Sequence, residues 1–375
     1  MEVKMAKERI NSIDIIKGFL IVTIIAYHMV YRNLNSAFDI ALQELIYLAI
    51  PVFFFFSGFF YKHDEKLIMP LLRRLKKFAL PVAGIVAFLH LILSPYYVFT
   101  HGYDLKQCVT DFLVTFLRPE LMARFLPQFS NSGQLFLNMS PVWFIWALFF
   151  ATILHFVILH FVGENKVGLI IAACILFVIG AITYIKLPPL SWSLSNTPVY
   201  TGLMIIGFLF SKGDVINKMN NIKLVPAVLI SVVLVVVHIL IYKYIGLDQM
   251  YRSVYDQNYT ILGTVAFIAQ TFIGGFVMFT FARLIEYIKP VADAIAWCGR
   301  HTNVILIFHS LFGGITSDIL HTYNKMGVNW YVDPLTTEIL IKSWITFFVG
   351  LAGSILMALL NDKLRTIYEG RKAKV

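Results

Sequence analysis

An acid, a lysine and a histidine stand inside one apolar stretch near the start of the chain: Asp14, Lys17 and His28, in Asp-Ile-Ile-Lys-Gly-Phe-Leu-Ile-Val-Thr-Ile-Ile-Ala-Tyr-His. Those types suit proton transfer and charge stabilisation, and histidine titrates near neutrality, as a general base must. A helix turns about 100° and rises about 1.5 Å per residue. Lys17 and His28 therefore point within about 20° of each other, about 16 Å apart along the axis. Asp14 shares the face, about 60° from Lys17 and about 40° from His28. Ile21, Ile24 and Ile25 lie between them. Each residue also has a plainer reading. Asp14 favours a helix N-terminus, Lys17 can snorkel to headgroups, and a neutral His28 can bond a neighbouring helix. A polar stripe on such a helix has to face a protein interior or a watery cavity, because ionisable groups are costly in hydrocarbon.

The element that positions this stripe is a membrane helix among many. The chain has 375 residues, 59% hydrophobic and 14% charged, with mean hydropathy +0.76. Soluble domains are nearer 45–50% apolar and about a quarter charged. The composition predicts an all-α, polytopic integral membrane protein. The net charge of +10 is first a topology signal, not a sign of nucleic-acid binding. Cys108, Cys174 and Cys298 have no metal-ligand spacing and make no disulfide framework. The charged start of the chain, followed by a stretch long enough to span, is expected to be no cleavable signal peptide.

Apolar runs long enough for a ~30 Å core fall near 13–31, 40–61, 78–98, 141–162, 167–186, 197–211, 224–245, 260–285, 302–318 and 338–360. They predict about ten transmembrane helices, with 197–211 the shortest. Basic residues concentrate in alternate connections: Lys62 to Lys77, Lys212 to Lys223, Arg283 to Arg300, and the tail. By the positive-inside rule both termini are cytosolic. The whole of 1–375 is expected to form one membrane-embedded domain, with 99–140 as an outer loop and 361–375 as a basic cytosolic tail. In the outer loop, Asp104 to Leu126 carries Phe112, Leu113, Phe116, Leu121 and Phe125 at helix-like spacing. That suits a helix on the membrane surface, or a platform over a cavity. No long internal repeat or inverted pair of broken helices is visible, which weighs against a common transporter plan.

The polar stripe also opens a series of motifs. Arg9-Ile-Asn-Ser-Ile-Asp14-Ile-Ile-Lys17-Gly18 is followed by His28 after ten intervening residues. Pro51-Val-Phe-Phe-Phe-Phe-Ser57-Gly58-Phe59-Phe60 precedes the basic block Arg73-Arg74-Leu-Lys76-Lys77 with Pro81. Further on come Pro141-Val-Trp143-Phe144-Ile-Trp146, Tyr200 to Phe210 with Gly207, and Gly299-Arg-His-Thr302 followed by Ile305 to His309. In this order, over nearly the whole chain, these motifs resemble the acyltransferase family 3 membrane O-acyltransferases. Position 17 is Lys where many members have Arg, which keeps the charge but loses the bidentate fork. The Glu that follows the Trp motif in larger, polysaccharide-modifying members has no counterpart in Ala147 to Ala151. The chain therefore resembles the small sugar acetylases, with no fused extracellular domain expected.

The resemblance implies transfer of an acyl group, usually acetyl, from cytosolic acetyl-CoA to a hydroxyl of a surface glycan or lipid-linked sugar at the cell (inner, cytoplasmic) membrane. His28 would be the general base, with a covalent acyl-histidine as the other option. Lys17 would hold the donor or steady the cavity, and Asp14 would pair with Lys17 or Arg9. Arg73, Arg74, Lys76 and Lys77 would bind the phosphates of CoA, although a cytosolic loop is basic in any case. Trp143 and His309 would touch substrate, against the plainer readings of an interfacial aromatic belt and a satisfied core histidine. His90, His155, His160 and His238 match no motif and read as packing. No metal, nucleic acid or nucleotide beyond CoA is expected; lipids are the other partner. A glycan exporter without chemistry fits the same spans, and so does a sensor or scaffold. His28 separates enzyme from exporter, because an exporter tolerates His28→Gln.

Overall fold

The computed structural model describes residues 11–30, 45, 50–61, 68–102, 104–109, 112, 142–186, 194–245, 261–320 and 337–372. The chain is all-helical, 92% helix with no strands among the described residues. The elements are α1 (Asn11–Met29), α2 (50–58), α3 (Ile68–Arg74), a wide π turn (Leu75–Ala79), α4 (Leu80–His101), α5 (Val142–Val162) and α6 (Lys166–Lys186). They continue with α7 (Thr197–Lys212), α8 (Val215–Asn221), α9 (Leu224–Ile245), α10 (Ile261–Ile285), α11 (Lys289–Arg300), α12 (Thr302–Ile319) and α13 (Thr337–Lys372).

Six helices are long and apolar enough to cross a membrane: α1, α5, α6, α9, α10 and α13. The count is seven if α7 and α8, bent by 63° where they meet, form one span. Two of the expected runs, 78–98 and 302–318, appear as shorter apolar helices, Leu80–Tyr96 and Thr302–Ser317. The run 40–61 is described from residue 50 onward, apart from residue 45. Most of the expected outer loop lies outside the described residues. Its helix start at Asp104 is visible: Asp104 Oδ1 accepts from the Gln107 amide at 2.6 Å, and Gln107 Oε1 accepts from the Asp104 amide at 2.8 Å. This reciprocal cap satisfies two amides that a first turn leaves free.

Local chemistry sets the joints. Gly163 adopts φ +65° to end α5, and Asn165 Oδ1 accepts from the Gly168 amide at 3.1 Å to start α6. Asp214, at φ 55°, turns α7 into α8. The π turn precedes Pro81, which has no N–H to donate and whose ring crowds the carbonyl four residues back. A widened turn is one way to absorb that conflict. The 36-residue α13 is about 54 Å long, far beyond a ~30 Å core. Its polar end is tied back by His301, whose Nε2 lies 2.8 Å from Asp362 Oδ2.

Helix α1 is largely buried, with Ile13, Ile15, Ile16, Leu20, Ile21 and Ile25 fully so. It packs against α10, α11, α12 and α13. Around Phe54 an aromatic core joins α2, α5 and α7: Phe54 stacks on Tyr200 with centroids 3.9 Å apart, and Phe144 meets Phe53 and Phe54 at 5.3 and 5.2 Å. By contrast, α6 and α9 turn Ile171, Ile175, Val178, Val232, Val233 and Val236 outward. A stripe of that kind suits lipid.

Candidate active site

The stripe on α1 is brought into register by close helix crossings. A Cβ on Gly18 would collide with the Ile295 carbonyl oxygen, and one on Gly299 with that of Asp14. Only glycine lets α1 and α11 approach so nearly. Asp14 is buried at this crossing. Two residues earlier, Ser12 Oγ donates to Glu286 Oε1 at 3.0 Å. At the other end of α1, Gly313 leaves room for the Met29 side chain, and Gly350 lets α13 approach the His309 carbonyl.

These crossings set His28 of α1 against His309 of α12. The two imidazoles stack nearly parallel, 18° between planes and 5.6 Å between centroids. His309 is fully buried. Its Nδ1 lies 3.3 Å from the Ile305 carbonyl oxygen, which only accepts, so Nδ1 carries the proton. Nε2 then holds the lone pair and faces the Ser310 hydroxyl at 3.4 Å. The lone pair of His309 is thus engaged within its own helix. Ser310 was invisible as a site residue, since its only signal is adjacency to His309.

Lys17 stands about 16 Å down the same face of α1, with Nζ 4.6 Å from the centroid of the Phe60 ring. The next residue, Tyr61, has the Arg74 guanidinium 5.5 Å from its ring centroid. Consecutive aromatics therefore link a cation of α1 to a cation of the basic block. Tyr61 donates from its hydroxyl to Thr152 Oγ1 at 2.9 Å and stacks on His155 at 4.6 Å, 19° between planes. Phe208 meets His155 edge-on at 6.0 Å and has the Lys212 ammonium 5.4 Å from its centroid. Lys212 also pairs with Glu164 at 2.5 Å. Three cations from three helices thus stand against one row of rings. Of the basic block, Arg74 is half-buried in this row, while Arg73 and Lys76 are exposed. Lys77 lies on the π turn and Trp143 on the first turn of α5; their side chains lie outside the described ones.

The arrangement has a cationic, ring-lined end and an imidazole end, joined by one buried helix face. A family model described as an acyltransferase domain, Acyl_transf_3, matches residues 10–360. The chain belongs to acyltransferase family 3. No curated protein and no solved structure matches it. Family membership supports a membrane acyltransferase, and the sequence stretches that resemble the family fall on the observed joints. Gly58 of the Phe-rich run and Gly207 of α7 cross where a Cβ on either would strike the Met204 or Phe55 carbonyl. In Gly299-Arg-His-Thr302, Gly299 meets Asp14, and the Thr302 hydroxyl donates to the Gly299 carbonyl at 2.8 Å.

Proposed function

We propose that this family 3 acyltransferase moves an acetyl group from acetyl-CoA to a hydroxyl of a surface glycan or lipid-linked sugar in the cell membrane, with His28 as general base. The observation that carries this is the single face of α1. It presents a cation next to the basic block at one end and a paired imidazole at the other. CoA is polyanionic at its nucleotide end and carries its thioester at the tip of a slender arm. A donor of that shape suits Arg74, Lys17 and the neighbouring Arg73, Lys76 and Lys77 at its phosphates, with the thioester reaching His28.

The chemistry balances with these groups. His28 takes the proton of the acceptor hydroxyl as its oxygen attacks the thioester carbonyl. The C–S bond breaks, the ester O–C bond forms, and the imidazolium returns the proton to the departing CoA thiolate. His309, with its lone pair engaged by Ser310, serves as a neutral wall of the acceptor pocket. Lys17 adds positive potential below the reacting carbonyl, and Asp14, buried at the Gly299 crossing, holds the base of α1 in place. Trp143 at the opening of α5 supplies a face for a sugar ring. The absence of an acid from Ala147 to Ala151 favours the small sugar acetylases over the larger polysaccharide-modifying members.

The test uses purified protein in lipid nanodiscs with radiolabelled acetyl-CoA and a cell-envelope glycan fraction. Label entering the glycan with wild type and not with His28→Ala supports the reading. Equal background in both, with acetyl-CoA binding also missing, overturns it in favour of a glycan exporter.

A further inference from the structure

His155 is a fully buried histidine that the transfer step above does not use. Its side chain has no exposure, and among the described residues neither ring nitrogen has a hydrogen-bond partner. A neutral imidazole always carries one N–H donor and one lone pair. Leaving both unmet in a closed interior is costly, and polar groups inside membrane helices tend to be retained for function. The ring is not loosely placed. Tyr61 stacks on it at 4.6 Å, Phe208 closes one side edge-on at 6.0 Å, and Thr152, one turn away on α5, holds the Tyr61 hydroxyl at 2.9 Å. His155 lies about 10 Å inside the Val162 end of α5, the end whose neighbours are Arg74 and Lys212.

What would satisfy this ring is constrained by its chemistry. A phosphate or carboxylate would meet the N–H but set an anion against the lone pair. An acyl chain would meet neither. An amide can offer its carbonyl to the ring N–H or its N–H to the ring lone pair. We propose that His155 is the hydrogen-bonding station for an amide of the pantetheine arm of the acyl-CoA donor. This rests on the acyl-CoA reading above. The cations at Phe60, Tyr61 and Phe208 then hold the phosphate end, His155 holds the arm, and the thioester runs on toward His28.

The experiment compares equilibrium binding of CoA and of adenosine 3′,5′-bisphosphate, which has the phosphate end without the arm. It uses full-length wild type, His155→Phe and His155→Gln in nanodiscs, with thermal unfolding of each. His155→Phe keeps the ring stack and removes both polar atoms. It is expected to bind CoA about tenfold more weakly, the effect of one lost hydrogen-bonded group, with the bisphosphate unchanged. His155→Gln keeps a donor and an acceptor and stays within about threefold of wild type for CoA. His155→Phe should unfold no earlier than wild type, since it removes unsatisfied groups. Equal CoA binding by wild type and His155→Phe overturns the inference, as does a parallel loss of both ligands. So does a clear fall in the unfolding temperature of His155→Phe, which would mark a structural histidine. Wild type that binds neither ligand overturns the acyl-CoA reading itself, an outcome distinct from the others.

Discussion

His309 and His155 are both fully buried on apolar helices, yet their ring nitrogens are treated in opposite ways. His309 has Ile305 O at 3.3 Å and Ser310 Oγ at 3.4 Å, so its tautomer is set by its own helix. His155 has rings around it and no hydrogen-bond partner among the described residues. Burial alone therefore does not assign a role. The first histidine is complete as it stands and serves as a fixed surface against His28. The second is incomplete among the described residues, and an incomplete polar group is where a ligand gains most from binding.

The largest effect tests what His309 is fixed against. His28→Ala should lower acyl transfer by about 10²- to 10⁴-fold, the usual contribution of a general base, with donor binding retained. His155→Phe should instead leave the turnover at saturating donor near wild type. Steady-state kinetics of the two variants separate the imidazole end from the donor end. If His28→Ala lost donor affinity and kept its turnover, the two ends would have to be exchanged.

The next effect concerns the joint that brings the stripe into place. Gly299→Val forces a side chain onto the Asp14 carbonyl. The cost should be about 1–3 kcal/mol of stability, as for overpacked cores. Gly84, on α4, has no atom within 4 Å of a built Cβ, so Gly84→Val should be close to neutral. Thermal unfolding of the pair measures the contrast. Equal stability in the two variants would mean that the α1–α11 crossing yields easily.

The α1 face was legible in the sequence because helical periodicity is local: Asp14, Lys17 and His28 share a face by spacing alone. The conjunction of His28 with His309 was legible only as a motif order, since nothing local links residues 281 positions apart. The all-helical membrane class followed from composition. The number of spans did not follow as simply. Run length and hydropathy take no account of a Pro-interrupted or bent helix such as α4 or α7–α8, and the structure shows six or seven long spans beside shorter apolar helices. The row Phe60, Tyr61, His155 and Phe208 was not legible. His155 is a lone histidine in a uniformly apolar helix, and its neighbours come from the chain just after α2, from α5 and from α7. Lys212 read as a topology signal and turns out to face Phe208 and Glu164.

A smaller effect concerns the ring stacked on His155. Tyr61→Phe keeps the stacked ring and removes the bond to Thr152. Stability should fall by about 1 kcal/mol, the net worth of one hydrogen bond. If the Tyr61–Thr152 bond helps keep this interior closed to the arm, the closed state is weakened by the same amount. CoA should then bind up to about fivefold more tightly, while the bisphosphate should be indifferent. Weaker CoA binding in Tyr61→Phe would mean that the hydroxyl itself contacts the donor.

The smallest effect returns to His309. Its bond to Ser310 is long at 3.4 Å, so Ser310→Ala should cost only about 0.5 kcal/mol, the low end for a hydrogen bond. Thermal unfolding alone will barely register it. The informative background is His28→Ala, in which the reaction has lost its base. Removing the hydroxyl there frees the Nε2 lone pair of an imidazole whose centroid lies 5.6 Å from that of His28. The double variant should therefore transfer measurably more label than His28→Ala alone. If the two are equal, the Ser310 hydroxyl is not what keeps His309 out of proton transfer. The separation of the two rings would then be the cause, because a base must lie within hydrogen-bond reach of the proton it takes.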